Sequence, residues 1–439
     1  MFETLLLPKP GACSPLRPVG DGPRRQGRAA RRIIFLNRFF FPDHSATSQI
    51  LGDLAFHLAG GGDDVRVVTS RQRYDDPQAG LPETEAIGGV RIHRLATTRF
   101  GRSALLGRGF DYLSFYRSAW RLVLASAQPG DILVAKTDPP LLCLPAMQAA
   151  KRRSLCLVNW LQDLYPEVAM RLGVPLMNGP VGRALVGLRD TALRAAEANV
   201  VVGESMAEIL RTRGIAANRI HVIPNWCDDQ EVVPLGHRDN PLRREWGLLS
   251  RFVVGYSGNL GRAHEFETAL RAAEHLRDNP DIVFLCVGGG NKLGELARRA
   301  KERRLEHLFR FFPYQQRSAL KHSLGVADLH WISLKPELEG LIVPSKFYGV
   351  AAAGRPIIAV TAKDGELARL IRRHECGVVV EPGDGRAFGD ALLRLSAEPE
   401  RLARMGARAR AMLDEHFSRR RAFERWRSLL ARVASSVQQ

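Results

Sequence analysis

Twice along this chain, short apolar runs rich in Ile, Val and Leu alternate with stretches whose apolar residues recur at helical spacing. The first series opens at Ile33–Asn37 (IIFLN). It passes through Ile50–Ala59, with Ile50, Leu51, Leu54, Ala55 and Leu58 on one face, and returns to Val65–Thr69 (VRVVT). A strand, a helix and a second strand at this length form a crossover unit, and crossovers join parallel strands. Val90–Leu95, Asp131–Ala135, Leu155–Trp160, Asn199–Val202 and Ile220–Ile223 continue the series. It restarts at Phe252–Tyr256 and runs through Ile282–Val287, Leu308–Phe312, Leu329–Leu334, Pro356–Val360 and Gly377–Glu381. The expected fold class is α/β, with two doubly wound, Rossmann-like parallel-sheet domains. Their expected boundaries are 32–235 and 251–417. Gln230–Ser250, with Pro234, Gly236 and Pro241, reads as the linker. Residues 418–439 are expected to form a basic helix returning toward the first domain. Residues 1–31, dominated by Pro, Gly and Arg, read as a disordered extension. Ligands of doubly wound sheets bind beyond the C-terminal ends of the strands, so two such domains are expected to face one another across a cleft.

Charge narrows the partners. A net charge of +18 and a pI near 10.3 favour a polyanion: nucleic acid, anionic lipid or a phosphate-bearing substrate. No helix-turn-helix, RNP or zinc pattern supports nucleic acid. The six cysteines are scattered without a Cys-x-x-Cys, which argues against a disulfide framework or a zinc site and fits a reducing, cytoplasmic setting. No run approaches the ~20 apolar residues of a membrane-spanning helix. Arg99–Ala127 interleaves arginines with Phe100, Phe110, Tyr112, Phe115, Tyr116 and Trp120. This is either an anionic membrane surface contact or a helix pair packed on the sheet with a solvated arginine face.

One segment concentrates the chemistry. Glu339–Gly354 (EGLIVPSKFYGVAAAG) places Pro344 and Ser345 before a short helix of small residues that stops at Gly354. A helix start offers unpaired N–H donors and a positive dipole end, Ser345 is expected to cap it, and Lys346 adds a full charge. The segment reads as a site for a nucleotide diphosphate. Ser257–Arg262 (SGNLGR) follows the first strand of the second series as a loop. Gly258, Asn259 and Gly261 there, with Gly288 after a later strand, let backbone N–H groups approach a phosphate, and Arg262 can pair with its oxygens. In the first half, Asp163 lies in QDLYPE, directly beyond a buried strand. It is either a group that orients or deprotonates an acceptor hydroxyl or a helix-capping aspartate. Glu167 and Asp138 are the lesser alternatives. No Asp-x-Asp stands at a strand end, so no metal is expected.

The blocks VQDLYPE-like, SGNLGRAHE and GLIVPSKFYG, in this order, resemble the GT-B glycosyltransferases, and among them the retaining family 4 enzymes of capsule, colanic-acid and O-antigen synthesis. The resemblance runs from Arg32 to about Val433. It implies a GT-B fold with an acceptor-binding first domain and a donor-binding second domain. It implies that Arg262 grips the donor diphosphate. The lysine usual two or three positions later is replaced here by His264 and Glu265, so Lys346 is expected to take that role. The family's spaced pair of glutamates is broken, with Leu341 and Gly349 at its places, and Glu339 is the nearby substitute. Phe312–Tyr314 is expected to present its backbone to the nucleobase, with Tyr314 beside it, and Gly365–Glu366 to form a second small loop at the donor. The first loop, which usually carries a glycine pair, holds Ser45, Ala46 and Thr47 on the acceptor side. The implied reaction is retaining transfer of a hexose-type sugar from a nucleotide-diphosphate donor, with no cofactor. The implied acceptor is an undecaprenyl-diphosphate-linked or polysaccharide chain at the inner face of the plasma membrane. A GT-B sugar-nucleotide epimerase and a basic nucleic-acid-binding protein are the alternatives.

Overall fold

In the computed structural model, which describes residues 31–100 and 105–435, every strand expected above is present and one edge strand is added. The expectation of disorder over the N-terminal extension falls, except at Arg31, outside the described residues. The first sheet contains β1 (Arg32–Leu36), β2 (Asp64–Ser70), β3 (Thr84–Ile87), β4 (Val90–Leu95), β5 (Ile132–Lys136), β6 (Cys156–Leu161), β7 (Ala198–Val201) and β8 (Ile220–Val222). Its order is β3-β4-β2-β1-β5-β6-β7-β8. The second contains β9 (Phe252–Asn259), β10 (Ile282–Gly289), β11 (Phe309–Phe312), β12 (Leu329–Ser333), β13 (Ile357–Val360) and β14 (Gly377–Val380), in the order β11-β10-β9-β12-β13-β14. Both are parallel sheets of the Rossmann type, and β3, antiparallel to β4, is the added edge strand. By its internal contacts the chain divides into Met1–Val158 with Leu430–Gln439, and Asn159–Leu429.

The central strands read as continuous apolar runs because both faces are covered. Every residue of β5, β6 and β12 is buried, as parallel sheets require. In the second sheet one face packs Val254, Tyr256, Phe284 and Trp331 beneath helices, and the other packs Val253, Val283 and Leu285. This alternation within β9 turns Tyr256 toward one layer while leaving the strand's end free to build a site.

Two expectations change in detail. SGNLGR is not wholly a loop: Ser257, Gly258 and Asn259 continue β9, paired in register with Val287, Gly288 and Gly289 of β10. Glycine suggested a break, but a parallel neighbour with its own glycines lets the ladder run on. The Gln230–Ser250 segment, mostly exposed, contains a short helix. Asn240 accepts from the backbone of Leu242 and Arg243 and starts the helix Pro241–Glu245, whose buried Arg243 pairs with Asp328 at 3.0 Å. Asn before Pro is a helix-start signal in its own right.

Candidate functional site

The C-terminal ends of β9 and β10 meet at two glycines. Gly288 has φ +140°, and a Cβ there would lie 2.3 Å from the Gly258 carbonyl oxygen, so the two backbones approach as only glycine permits. The chain then folds over itself: Leu260 N–H donates to Gly289 O at 2.7 Å and Lys292 N–H to Leu260 O at 3.0 Å. Gly261 sits beside the Asn259 side chain, and the ring of Tyr314 lies over Gly289 with about half its surface exposed. Gly258, Asn259, Gly261, Gly288 and Tyr314 are thus gathered at one strand-end rim.

Lys346 reaches this rim from the helix Lys346–Ala352. That helix begins after Pro344 and ends where Gly354, at φ +63°, donates to Ala351 O at 3.0 Å. Ser345 already has helical φ and ψ and makes no side-chain cap. The expected hydroxyl cap is therefore absent, because capping requires the residue to leave the helical region. The Lys346 ammonium donates to the Tyr256 hydroxyl and to the Asn259 carbonyl at 3.2 Å, and lies 3.1 Å from His264 Nε2. Lys346 keeps some exposed surface but sits deep among protein atoms, and this loss of hydration lowers its pKa to about 7. Among the described residues no carboxylate forms an ion pair with it.

The other expected donor-side residues separate by what they already hold. Arg262 is exposed and donates to the Leu172 carbonyl at 2.5 Å. Glu339 Oε1 accepts the Glu366 N–H at 2.7 Å, while its Oε2 is buried with no hydrogen-bond partner. Glu366 is occupied elsewhere: its two carboxylate oxygens accept the N–H groups of Glu204 and Ser205, each at 3.0 Å, at the start of the helix Glu204–Thr212. Burial raises its pKa against those two hydrogen bonds. Glu339, with its spare oxygen, is the better placed of the two to bind a sugar hydroxyl.

On the acceptor side, Asp163 forms an antiparallel bridge with Ile342, and Leu164 N–H donates to Leu341 O at 2.9 Å. The QDLYPE segment is thereby laid against the segment that leads into Lys346. Glu167 is buried, and its oxygens accept from Arg189 at 2.7 and 3.1 Å and from Arg213 at 3.2 Å. That carboxylate is committed to holding two guanidiniums and is not free to act on an acceptor. Ser45 precedes the helix Ala46–Gly60, takes its N–H to Asp43 Oδ1 at 2.7 Å, and has a buried hydroxyl without a partner. The Thr47 carbonyl accepts from Lys136 at 3.2 Å. Both belong to the first unit, with Asp138 just after β5.

Sequence reasoning passed over Tyr256, and it read His264 and Glu265 only as replacements for a missing lysine. Their signal was adjacency: Tyr256 ends the apolar run before SGNLGR, and HE follows it. Among the described residues no group of three or more His, Cys, Asp or Glu is placed to hold a metal ion, and no helix is long and apolar enough to cross a membrane.

Two family profiles match the chain: the Glycosyl transferase 4-like domain over residues 46–226 and the Glycosyl transferases group 1 domain over residues 240–412. The chain is 26% identical to the colanic acid biosynthesis glycosyl transferase WcaI of Escherichia coli, over 80% of this chain and 88% of that one. It is 27% identical to the probable glycosyltransferase WbjE of Pseudomonas aeruginosa, over 73% and 79%. Among solved structures it is similar in fold to a sucrose-phosphate synthase from Thermosynechococcus elongatus, with TM-score 0.74 at 16% identity over 92% of this chain and 100% of that one. It is also similar to WaaG, a glycosyltransferase involved in lipopolysaccharide biosynthesis, with TM-score 0.64 at 13% identity over 92% and 99%.

Proposed function

Because this chain belongs to the GT-B glycosyltransferases of family 4, enzymes of glycan biosynthesis, we propose that it moves a hexose-type sugar from a nucleotide diphosphate to a lipid-linked or polysaccharide acceptor with retention of configuration. The observation that carries the donor half is Lys346. A lysine that meets only neutral acceptors, set beside the Gly258–Gly288 backbone approach, is placed to receive an anion. The charge that develops on the departing diphosphate falls to Lys346, with Arg262 and the strand-end N–H groups as further donors, and no metal is required. Glu339 Oε2 takes a sugar hydroxyl, and Asp163 orients the acceptor hydroxyl.

The acceptor is an undecaprenyl-diphosphate-linked chain reached from the inner face of the plasma membrane. The helix Leu105–Ser126 supports this reading. It buries Asp111, Phe115, Ala119 and Val123, and exposes Phe110, Leu113, Arg117 and Arg121 as one stripe. An apolar end followed by arginines suits anionic headgroups. The donor assignment is tested by thermal shift with UDP, GDP, ADP and their sugars, with and without Mg²⁺. One nucleotide class is expected to stabilise the protein equally in EDTA. No stabilisation by any of the three refutes the assignment. Flotation with anionic vesicles, lost in Arg117→Glu/Arg121→Glu, tests the membrane face.

A further inference from the structure

The ammonium of Lys346 has three N–H donors and meets three acceptors, none of them an anion: the Tyr256 hydroxyl, the Asn259 carbonyl and His264 Nε2. Each acceptor is itself fixed. Tyr256 O–H donates to Asn259 O at 3.0 Å, which leaves its lone pairs for the lysine. The His264 ring lies with Nδ1 2.6 Å from the Ser333 carbonyl oxygen. A carbonyl only accepts, so Nδ1 carries the proton and Nε2 presents a lone pair to Lys346.

We propose that His264 is a positioning residue for Lys346: locked in one neutral tautomer by Ser333, it accepts an ammonium N–H and holds that charge at the glycine rim for the donor diphosphate. This rests on the donor-site reading above and extends it to a residue that does not itself touch the substrate.

Other arrangements fail on charge. A protonated His264 would set two cations 3.1 Å apart; burial, and then the charge of Lys346, push its pKa down to about 3, so the ring stays neutral across the working range. Burial pushes Tyr256 well above its ordinary range, so it too stays neutral. The groups facing Lys346 are thus Tyr256 and Asn259 from β9 and His264 from the turn after it, with Ser333 of β12 behind the ring. Dipoles point the charge without cancelling it. A carboxylate in the place of His264 would hold the lysine more tightly but would compete with the diphosphate. The Asn259 bond is the longest of those measured to the ammonium and shares its acceptor with Tyr256. It is the one a phosphate oxygen displaces with least loss.

Two substitutions divide the ring's roles. The Gln side chain in His264→Gln places an acceptor near Nε2; the Asn in His264→Asn keeps a donor near Nδ1 and loses the acceptor. Calorimetric titration with UDP, GDP or ADP, whichever binds, from pH 6 to 9 in buffers of different ionisation enthalpy, reads both affinity and protons taken up. Wild type is expected to take up a fraction of a proton near pH 7, as the diphosphate restores full charge to Lys346. His264→Gln is expected to keep the wild-type pH profile. His264→Asn is expected to bind roughly ten-fold more weakly at pH 7.5, with its profile displaced about one unit to lower pH. A wild-type profile in His264→Asn, or equal losses in both variants, overturns the proposal while leaving the phosphate site intact. Absence of nucleotide binding by the wild type overturns both.

Discussion

Two clusters of charged side chains in this chain are built on opposite plans. Around Glu167, two carboxylates and two guanidiniums compensate one another. Arg189 is held by Glu167 at 2.7 Å and by Asp190 at 2.7 Å, and Arg213 lies 3.2 Å from Glu167. Around Lys346, one cation meets only a hydroxyl, a carbonyl and a neutral imidazole. The first set is complete and needs nothing from outside. The second is complete in hydrogen bonds and incomplete in charge. Sequence offered Lys346 as a principal candidate and Glu167 as a lesser one, since both are ionisable residues in recognisable blocks. Charge compensation separates the ion-paired carboxylate from the lysine that meets only neutral partners.

The sharpest break of this comparison is Glu167→Ala. It leaves Arg189 buried with half its side-chain hydrogen bonds gone and is expected to cost about 3–5 kcal/mol of stability, read by denaturant unfolding. A fully functional, equally stable variant would show that the cluster is dispensable. Next, Lys346→Met is expected to leave the unliganded fold intact and weaken nucleoside diphosphate binding by roughly 100-fold, in line with the 2–5 kcal/mol of a truncated charge pair. Retained binding would remove Lys346 from the site. Arg262→Ala is expected to do less, on the order of ten-fold, because the side chain is exposed and held by a carbonyl. A loss larger than that of Lys346→Met would reverse their ranking.

The remaining effect is in pH. Lys346 titrates near 7 in the folded protein and near ~10.4 when unfolded, so between those values the unfolded chain binds more protons. Stability of the ligand-free protein is therefore expected to rise with pH from about 7 to about 10. The cost of the buried charge is fully present below 7 and relieved above 10. The slope difference between wild type and Lys346→Met, from melts across that range, checks the sign.

The sheets were legible in the sequence because parallel strands buried on both faces leave uninterrupted apolar runs. The strand β3 was not, since Thr84–Ile87 (TEAI) is half polar and gains its place only from pairing with β4. The helix at Pro241 was short enough to be read as linker despite Asn240. In the site, Lys346 was legible from its helix start. Its acceptors were not, because they lie 82 to 90 residues away in sequence and converge only when β9 and that helix are packed. Glu366 looked like a donor-site residue for the same reason. Its carboxylate is bound 162 residues upstream, and nothing local records that distance.

That last contact has a bearing on how the protein is made. The helix Glu204–Thr212 has no side-chain cap of its own at Gly203, and among the described residues two of its first N–H groups find their acceptors in Glu366. During synthesis the helix is translated long before residue 366 leaves the ribosome. For that interval its first turn is finished by water alone. A growing chain that stalls short of the second sheet carries a frayed helix beside its first sheet, open to chaperones and proteases until the missing carboxylate arrives.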